Sequence, residues 1–165
     1  MEEYEHSFKV TSIKPFIEFC EEFGFKQVSV SSQNRKVYQS VYNPHLISRL
    51  TTEKEGNKLN TYFDFKLAGN EIEGKKLSQE SETLVVTDDL MPFVTSTLDV
   101  LNFKLVADNF RTRYVYDKDG ITFEIDDYTV PDMKVVAVEG RKDVVESLCN
   151  NGLQKILKKY SISLN

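Results

Sequence analysis

Along residues 2–10 apolar and polar side chains alternate. Tyr4, His6, Phe8 and Val10 share one face, and Glu3, Glu5, Ser7 and Lys9 share the other. A period of two is that of a half-buried strand, here with a charged face. Thr11 or Ser12 then stands where a helix cap belongs, and Pro15 falls in the first turn, where a missing N–H costs nothing. Ile13, Phe16, Ile17 and Cys20 recur at helical spacing until Gly24 ends the element. Strands are predicted over 25–31 and 35–42, separated by the polar break 32–34. Two more follow over 45–52 and 58–67, turning at 55–57.

After a loop at 68–74 the same programme restarts. A strand carrying Glu80 and Glu82 runs to Thr87, a second capping residue. Leu90, Val94, Leu98 and Leu101 then form a helical stripe with Pro92 near its start. Strands are predicted over 103–109, 110–116, 121–127 and 133–139. A tail over 141–160 places Leu153, Ile156, Leu157 and Tyr160 at helical spacing, for packing on the outside. The restart is an internal repeat. Glu3-x-Glu5 recurs as Glu80-x-Glu82, Val10-Thr11 as Val86-Thr87 and Pro15-Phe16 as Pro92-Phe93. Phe25-Lys26 recurs as Phe103-Lys104, and Arg35-x-Val37-Tyr38 as Arg113-x-Val115-Tyr116, always 76–78 residues on. Five matches in order at one offset predict two copies, 1–67 and 75–140, in a single domain spanning 1–165, with 141–165 as a helical tail.

The stretch 110–128 shows how charge is arranged. Asp117-Lys118-Asp119-Gly120 is a turn signal between two strand-forming runs. With Tyr116 facing Ile121, Arg113 falls opposite Glu124 and Arg111 opposite Asp126; closing on Asp119-Gly120 slips the pairing by two residues. In either register Arg111, Arg113, Thr122, Glu124 and Asp126 share one face, and Ile121, Phe123 and Ile125 the other. One such strand pair describes a solvated sheet face. Alternating charge recurs on most strands, however, at Glu3, Glu5, Lys9, Arg49, Lys66, Glu80, Glu82, Arg111, Arg113, Glu124, Asp126 and Glu139. That count favours a polar interior. The expected fold is therefore α+β: an eight-stranded antiparallel β tunnel or barrel of two pseudo-symmetric halves, with helices outside. Closure removes exposed edges and leaves room for one small ligand.

Composition narrows the function. With 40% apolar and 28% charged residues the chain reads as an ordinary soluble globular protein, large enough for a real core. A net charge of −5 with no strongly basic half argues against a nucleic-acid binder. No signal peptide or membrane span is recognisable. Cys20 and Cys149 lack framework spacing and are expected as reduced thiols in a cytoplasmic protein. His6 lies on an apolar face and His45 stands alone, so no zinc site is expected. No Gly-rich phosphate loop occurs.

The N-terminal Glu3-x-Glu5 strand, the helix ending at Gly24-Phe25, Leu46-Ile47-Ser48-Arg49 and Lys66 come in a familiar order. So do Arg111-x-Arg113-x-x-Tyr116, Phe123-Glu124-Ile125-Asp126 and Val138-Glu139. Over residues 2–140 this resembles the CYTH domain, the triphosphate tunnel group that includes class IV adenylyl cyclases, thiamine triphosphatases and inorganic triphosphatases. The resemblance implies an eight-stranded tunnel that binds a triphosphate with Mg²⁺ or Mn²⁺. It assigns Glu3, Glu5, Asp126 and Glu139 to the metal, and Arg49, Lys66, Arg111 and Arg113 to the phosphates; the signature lysine falls on Ser7, and Lys9, one strand period along the same face, is expected to stand in for it. Glu5 and Glu82 are the implied catalytic carboxylates, with Glu80 and Glu124 as further acidic candidates. Four positions that carry charge in the family pattern are Ser7, Ile47, Ser78 and Ala137 here, three of them cationic in the family. The implied activity is divalent-metal-dependent binding and hydrolysis of a small triphosphate or polyphosphate by a monomer or homodimer. The alternatives are a non-catalytic tunnel for nucleotide, polyphosphate or an anionic partner, a class IV adenylyl cyclase, and a charged β scaffold without a small ligand.

Overall fold

The computed structural model describes residues 2–69 and 71–162, without the side chains of Glu2, Glu3 and Lys76. In chain order the elements are β1 (Glu2–Val10), α1 (Lys14–Glu22), β2 (Lys26–Ser40), β3 (Leu46–Glu55), β4 (Lys58–Ala68), β5 (Lys75–Glu80) and β6 (Leu84–Val85). Then come α2 (Met91–Val100), β7 (Phe103–Lys118), β8 (Ile121–Val130), β9 (Met133–Gly140) and α3 (Lys142–Ser147). A π-helical turn (Leu148–Gly152) joins α3 to α4 (Gln154–Tyr160). Strands pair in the order β3-β2-β7-β8-β9-β1-β5-β4, and a β3–β4 ladder closes the ring. The result is an eight-stranded antiparallel barrel with four helices outside; the two-residue β6 adds a rung on β4 at Tyr62 and Phe63.

Two expected strand breaks are absent. Residues 32–34 lie inside β2, and the join at 109/110 lies inside β7. Ser32, Gln33 and Asn34 have turn-like composition, but each is paired across the ladder with Thr112, Arg111 and Phe110. Tertiary pairing overrides local preference here. The side-chain caps also differ from expectation. Ile13 and Leu90 occupy the N-cap positions, with no side-chain cap. Thr87 contributes its carbonyl, not its hydroxyl, to the N–H groups of Leu90 and Met91. Pro15 and Pro92 do stand in the first turns.

Apolar packing lies outside the barrel, in two places. Tyr116, Phe123, Ile125, Val136 and Val138 pack beneath Phe16, Phe19 and Cys20 of α1 and Val145, Leu153 and Leu157 of the C-terminal helices. Leu50, Phe63 and Phe103 pack beneath Val94 and Leu98 of α2. Because the outward positions are committed to these cores, the alternate positions face inward, and they are the charged ones.

The strand pairings exchange between the two halves. β1–β9 corresponds to β5–β4, β2–β3 to β7–β8, and β3–β4 to β8–β9. The central β2–β7 ladder maps onto itself. Gln33 pairs with Arg111, 78 residues on, and shifting each member by that offset turns Arg35–Asn109 into Arg113–Ser31, also a pair. Each strand leaves one residue unpaired at an irregularity, Val28 in β2 and Val106 in β7, again at equivalent positions.

Phe123, fully buried and edge-on to Phe25 at 5.0 Å, represents the first core, and Leu98 the second. Phe123→Ala should cost about 3–5 kcal/mol and Leu98→Ala about 2–5 kcal/mol in denaturant unfolding, from lost burial plus the cavity left behind.

Candidate functional site

The inward side chains enclose a cavity of about 530 Å³. A second chamber of about 230 Å³ continues from it, sharing Arg35, Arg49, Arg113 and Glu124 as the wall between them. Of the expected site residues, Glu5, Arg49, Lys66, Glu80, Arg111, Arg113, Glu124, Asp126 and Glu139 all line the larger cavity.

The cations are held in two groups. On one side Arg49 is bidentate to Asp64 (Nε–Oδ1 2.8 Å, Nη2–Oδ2 2.5 Å) and reaches Glu80 at 3.1 Å, a carboxylate shared with Lys66 at 3.1 Å. Burial opposes the charge on Glu80, yet Arg49 and Lys66 outweigh it and hold the carboxyl below its usual range. On the other side Asp126, 3% exposed, accepts from Arg113 Nε and Nη2 at 2.8 Å each and from Arg111 Nη1 at 3.2 Å. Arg113 Nη1 also pairs with Glu124 at 2.9 Å. Burial disfavours the Arg113 cation, but Glu124 and Asp126 raise its pKa above the ordinary value. Arg111 donates to Gln33 Oε1 from Nε and Nη2 (3.0 and 2.9 Å) and to the Tyr128 hydroxyl at 2.7 Å.

Arg35 differs. Its Nε donates to Thr51 Oγ1 at 3.1 Å, and among the described residues it forms no ion pair. Burial, then repulsion from Arg111, Arg113 and Arg49, pushes its pKa down to about 9. Most of the guanidinium still carries its charge at neutral pH, at a cost to the fold. A half-buried cation facing three others is relieved by whatever anion enters the space between them.

Two expected site residues stand elsewhere. Lys9 lies beyond the Glu2–His6 stretch of β1 that β5 covers, and its side chain is exposed on a separate surface with Glu73 and Ser161. Glu82 is exposed because β5 stops at Glu80; Ser81 bonds back to the Phe65 backbone, and the two-residue alternation ends there. Asp126 lines the cavity, but both its oxygens serve Arg111 and Arg113, which makes it an orienter of cations instead of a metal-side group. The side chain of Glu3 is outside the description.

Four contributors were not anticipated. Arg35 was visible only as the repeat partner of Arg113. Gln33, within an expected strand break, accepts from Arg111. Tyr128 reaches the site because the hairpin closes on Asp119-Gly120, both at positive φ (50° and 78°), which places Arg113 opposite Asp126 and Arg111 opposite Tyr128. Asp64 entered through its direct pairing with Arg49.

The donor set was tested for a divalent cation. Among the described residues no group of three or more His, Cys, Asp or Glu side chains could hold a metal. Glu5 and Glu139, however, face each other directly across β1 and β9 and both line the cavity, though neither is free of partners. Two carboxylates suit Mg²⁺ or Mn²⁺, which keep several waters and complete their shell with phosphate oxygens. Charge points the same way. The described lining carries five cations (Arg35, Arg49, Lys66, Arg111, Arg113) against five carboxylates (Glu5, Glu80, Glu124, Asp126, Glu139). A polyanion arriving alone would leave this interior strongly negative, and a divalent cation arriving with it would cancel a large part of that charge.

No family model and no curated protein matches the chain. Solved structures do. A protein from Pyrococcus horikoshii aligns with a TM-score of 0.66 at 20% identity, covering 94% of this chain and 89% of its own. A proposed adenylyl cyclase from Hippeastrum, described as revealing a dominant triphosphatase activity, aligns at 0.63 and 14% identity over 99% and 91%. A chain of the Schizosaccharomyces pombe Mediator head module aligns at 0.59 and 13% identity over 98% of both. At these identities the likeness is one of fold.

Removing the uncompensated charge and removing a shared counter-charge should have opposite effects. Arg35→Met should raise the stability of the ligand-free protein by about 1 kcal/mol, since a strained cation gives way to an apolar chain of similar length. Because the folded pKa lies below the unfolded one, the cost of the charge is present below about pH 9 and fades above it. The gain should shrink over that range. Asp126→Ala should instead cost about 3–5 kcal/mol by stranding two buried guanidinium groups. Thermal and denaturant unfolding at pH 7 and pH 10 check both.

Proposed function

We propose that this chain, which has the tunnel fold of the CYTH-type proteins, binds a triphosphate-bearing small molecule together with Mg²⁺ or Mn²⁺ and hydrolyses it. The observation that carries this reading is the convergence of Arg35, Arg49, Lys66, Arg111 and Arg113 on one cavity, with Arg35 forming no ion pair among the described residues. Arginine's planar fork matches phosphate oxygens two at a time, and the site's guanidinium groups are already oriented by Asp64, Asp126 and Gln33. Phosphoryl transfer depends mainly on positioning and charge neutralisation, which is what this interior supplies. Arg111 and Arg113 hold one part of the phosphate chain, Arg49 and Lys66 another, and Arg35 bridges towards the second chamber. Glu5 and Glu139 are the groups that would hold the cation, whose chemistry is to neutralise phosphate charge as it shifts. In this reading Glu5 would also orient a water and take its proton.

A second reading, binding without turnover, draws on two observations. Asp64, Glu80, Glu124 and Asp126 already neutralise four of the five cations, and Ser7, Ile47 and Ala137 line the cavity without charge. Hydrolysis separates the two readings.

Tripolyphosphate with Mg²⁺ or Mn²⁺ should raise the melting temperature of the wild type, as any ligand confined to the native state must. Arg35→Met should lose roughly 2–3 kcal/mol of binding, and so the shift, although its ligand-free form is no less stable. Glu5→Gln should slow phosphate release by about 10²–10⁴-fold while the protein stays folded. Binding that survives in wild type with no phosphate release under any metal selects the non-catalytic tunnel. No shift with any polyphosphate sinks both readings.

A further inference from the structure

Helices α1 and α2 follow equivalent strands of the two halves, yet only α1 shares its core with the C-terminal segment. Phe16 of α1 is fully buried in a core that also holds Val145, Cys149, Leu153 and Leu157. Its repeat equivalent in α2, Phe93, is 68% exposed, and Val100 on the same face is 82% exposed. Leu90, Phe93, Thr97 and Val100 are spaced as one stripe along α2, beside the Val94–Leu98 stripe that packs on the barrel. The apolar surface continues past the helix end, where Asn102 Nδ2 donates to the hydroxyl of the exposed Tyr42 at 3.3 Å. Single exposed apolar residues need no explanation, whereas a continuous stripe at helical spacing marks an interaction surface.

The partnered helix indicates what fits the bare one. The segment that shares the core of α1 (residues 141–162) carries Arg141, Lys142, Lys155, Lys158 and Lys159 against Asp143 and Glu146, and α1 carries exposed Glu18, Glu21 and Glu22 against Lys14. The α2 stripe is edged by exposed Asp88, Asp89 and Asp99, and residues 88–101 contain no Lys or Arg. We propose that the exposed stripe of α2 is a docking surface for a basic amphipathic helix presented by another protein. It repeats across the pseudo-symmetric halves the contact that the chain makes with its own tail at α1. A second copy of this chain is a poor occupant, because an isologous contact would set the same acidic edge against itself. Helix-on-helix docking of this kind is carried by a few apolar anchors, with the charged edge setting orientation and choice of partner.

The probe is a fluorescent synthetic peptide of residues 141–162, titrated by anisotropy against the full chain. Saturable binding is expected. Phe93→Ser and Val100→Asp should each weaken it about tenfold or more. A peptide carrying Lys155→Glu, Lys158→Glu and Lys159→Glu should lose it similarly. Both protein variants change exposed residues away from the cavity, so their melting temperatures and their response to tripolyphosphate should match wild type. Absence of binding overturns the proposal. So does binding indifferent to Phe93→Ser and Val100→Asp, which would place the peptide on α1. A wild-type dimer in sedimentation equilibrium that Phe93→Ser dissolves overturns it as well, since the occupant would then be a second copy.

Discussion

Asp126 accepting from both Arg111 and Arg113 is the interaction on which the interior depends. Two guanidinium groups on one strand face the inside of a closed barrel, and the shared carboxylate at hydrogen-bond distance offsets the cost of burying their charges. Arg49 and Lys66 meet the same requirement through Asp64 and Glu80. The interior is thereby a balanced set of charges whose apolar support lies outside, beneath helices on two flanks. Balance also sets the limit on function. A cavity whose cations are mostly matched attracts a polyanion best in company with a metal ion, or through the one cation left without an ion pair among the described residues.

Arg35 is that cation, and its position follows from the repeat. It is the equivalent of Arg113 on the opposite strand of the central ladder, but its neighbour on β3 is Thr51, where Arg113 has Asp126 at the equivalent place on β8. One half of the barrel thus compensates its arginine across the strand and the other does not. An asymmetry between matched halves is a natural place for a ligand, because the unmatched side carries a cost that binding removes.

Much of this was legible in the sequence, for a physical reason. Alternation with a period of two reports which residues share a face, so β1, β8 and β9 and the inward set at Glu5, Arg111, Arg113, Glu124, Asp126 and Glu139 could be read directly. Alternation does not report where the neighbouring strand stops, and there the reading failed. Lys9 continues its strand's pattern past the end of its β5 partner, and Glu82 continues one that β5 has abandoned. Polar residues with turn-like composition at 32–34 concealed the continuity of β2, which pairing with β7 imposes. Asp64 and Gln33 were silent, because their value lies wholly in the side chain across the ladder.

The proposed function puts metal and phosphate together in the barrel interior, the metal on the Glu5–Glu139 side and the phosphate among the arginines. Crystals grown with MnCl₂ and tripolyphosphate, measured at the manganese absorption edge, would locate both. An anomalous peak is expected within coordination distance of Glu5 and Glu139, with phosphate density against Arg35, Arg111 and Arg113. Manganese on the outer surface, or phosphate density away from these arginines with the cavity unchanged, would contradict it.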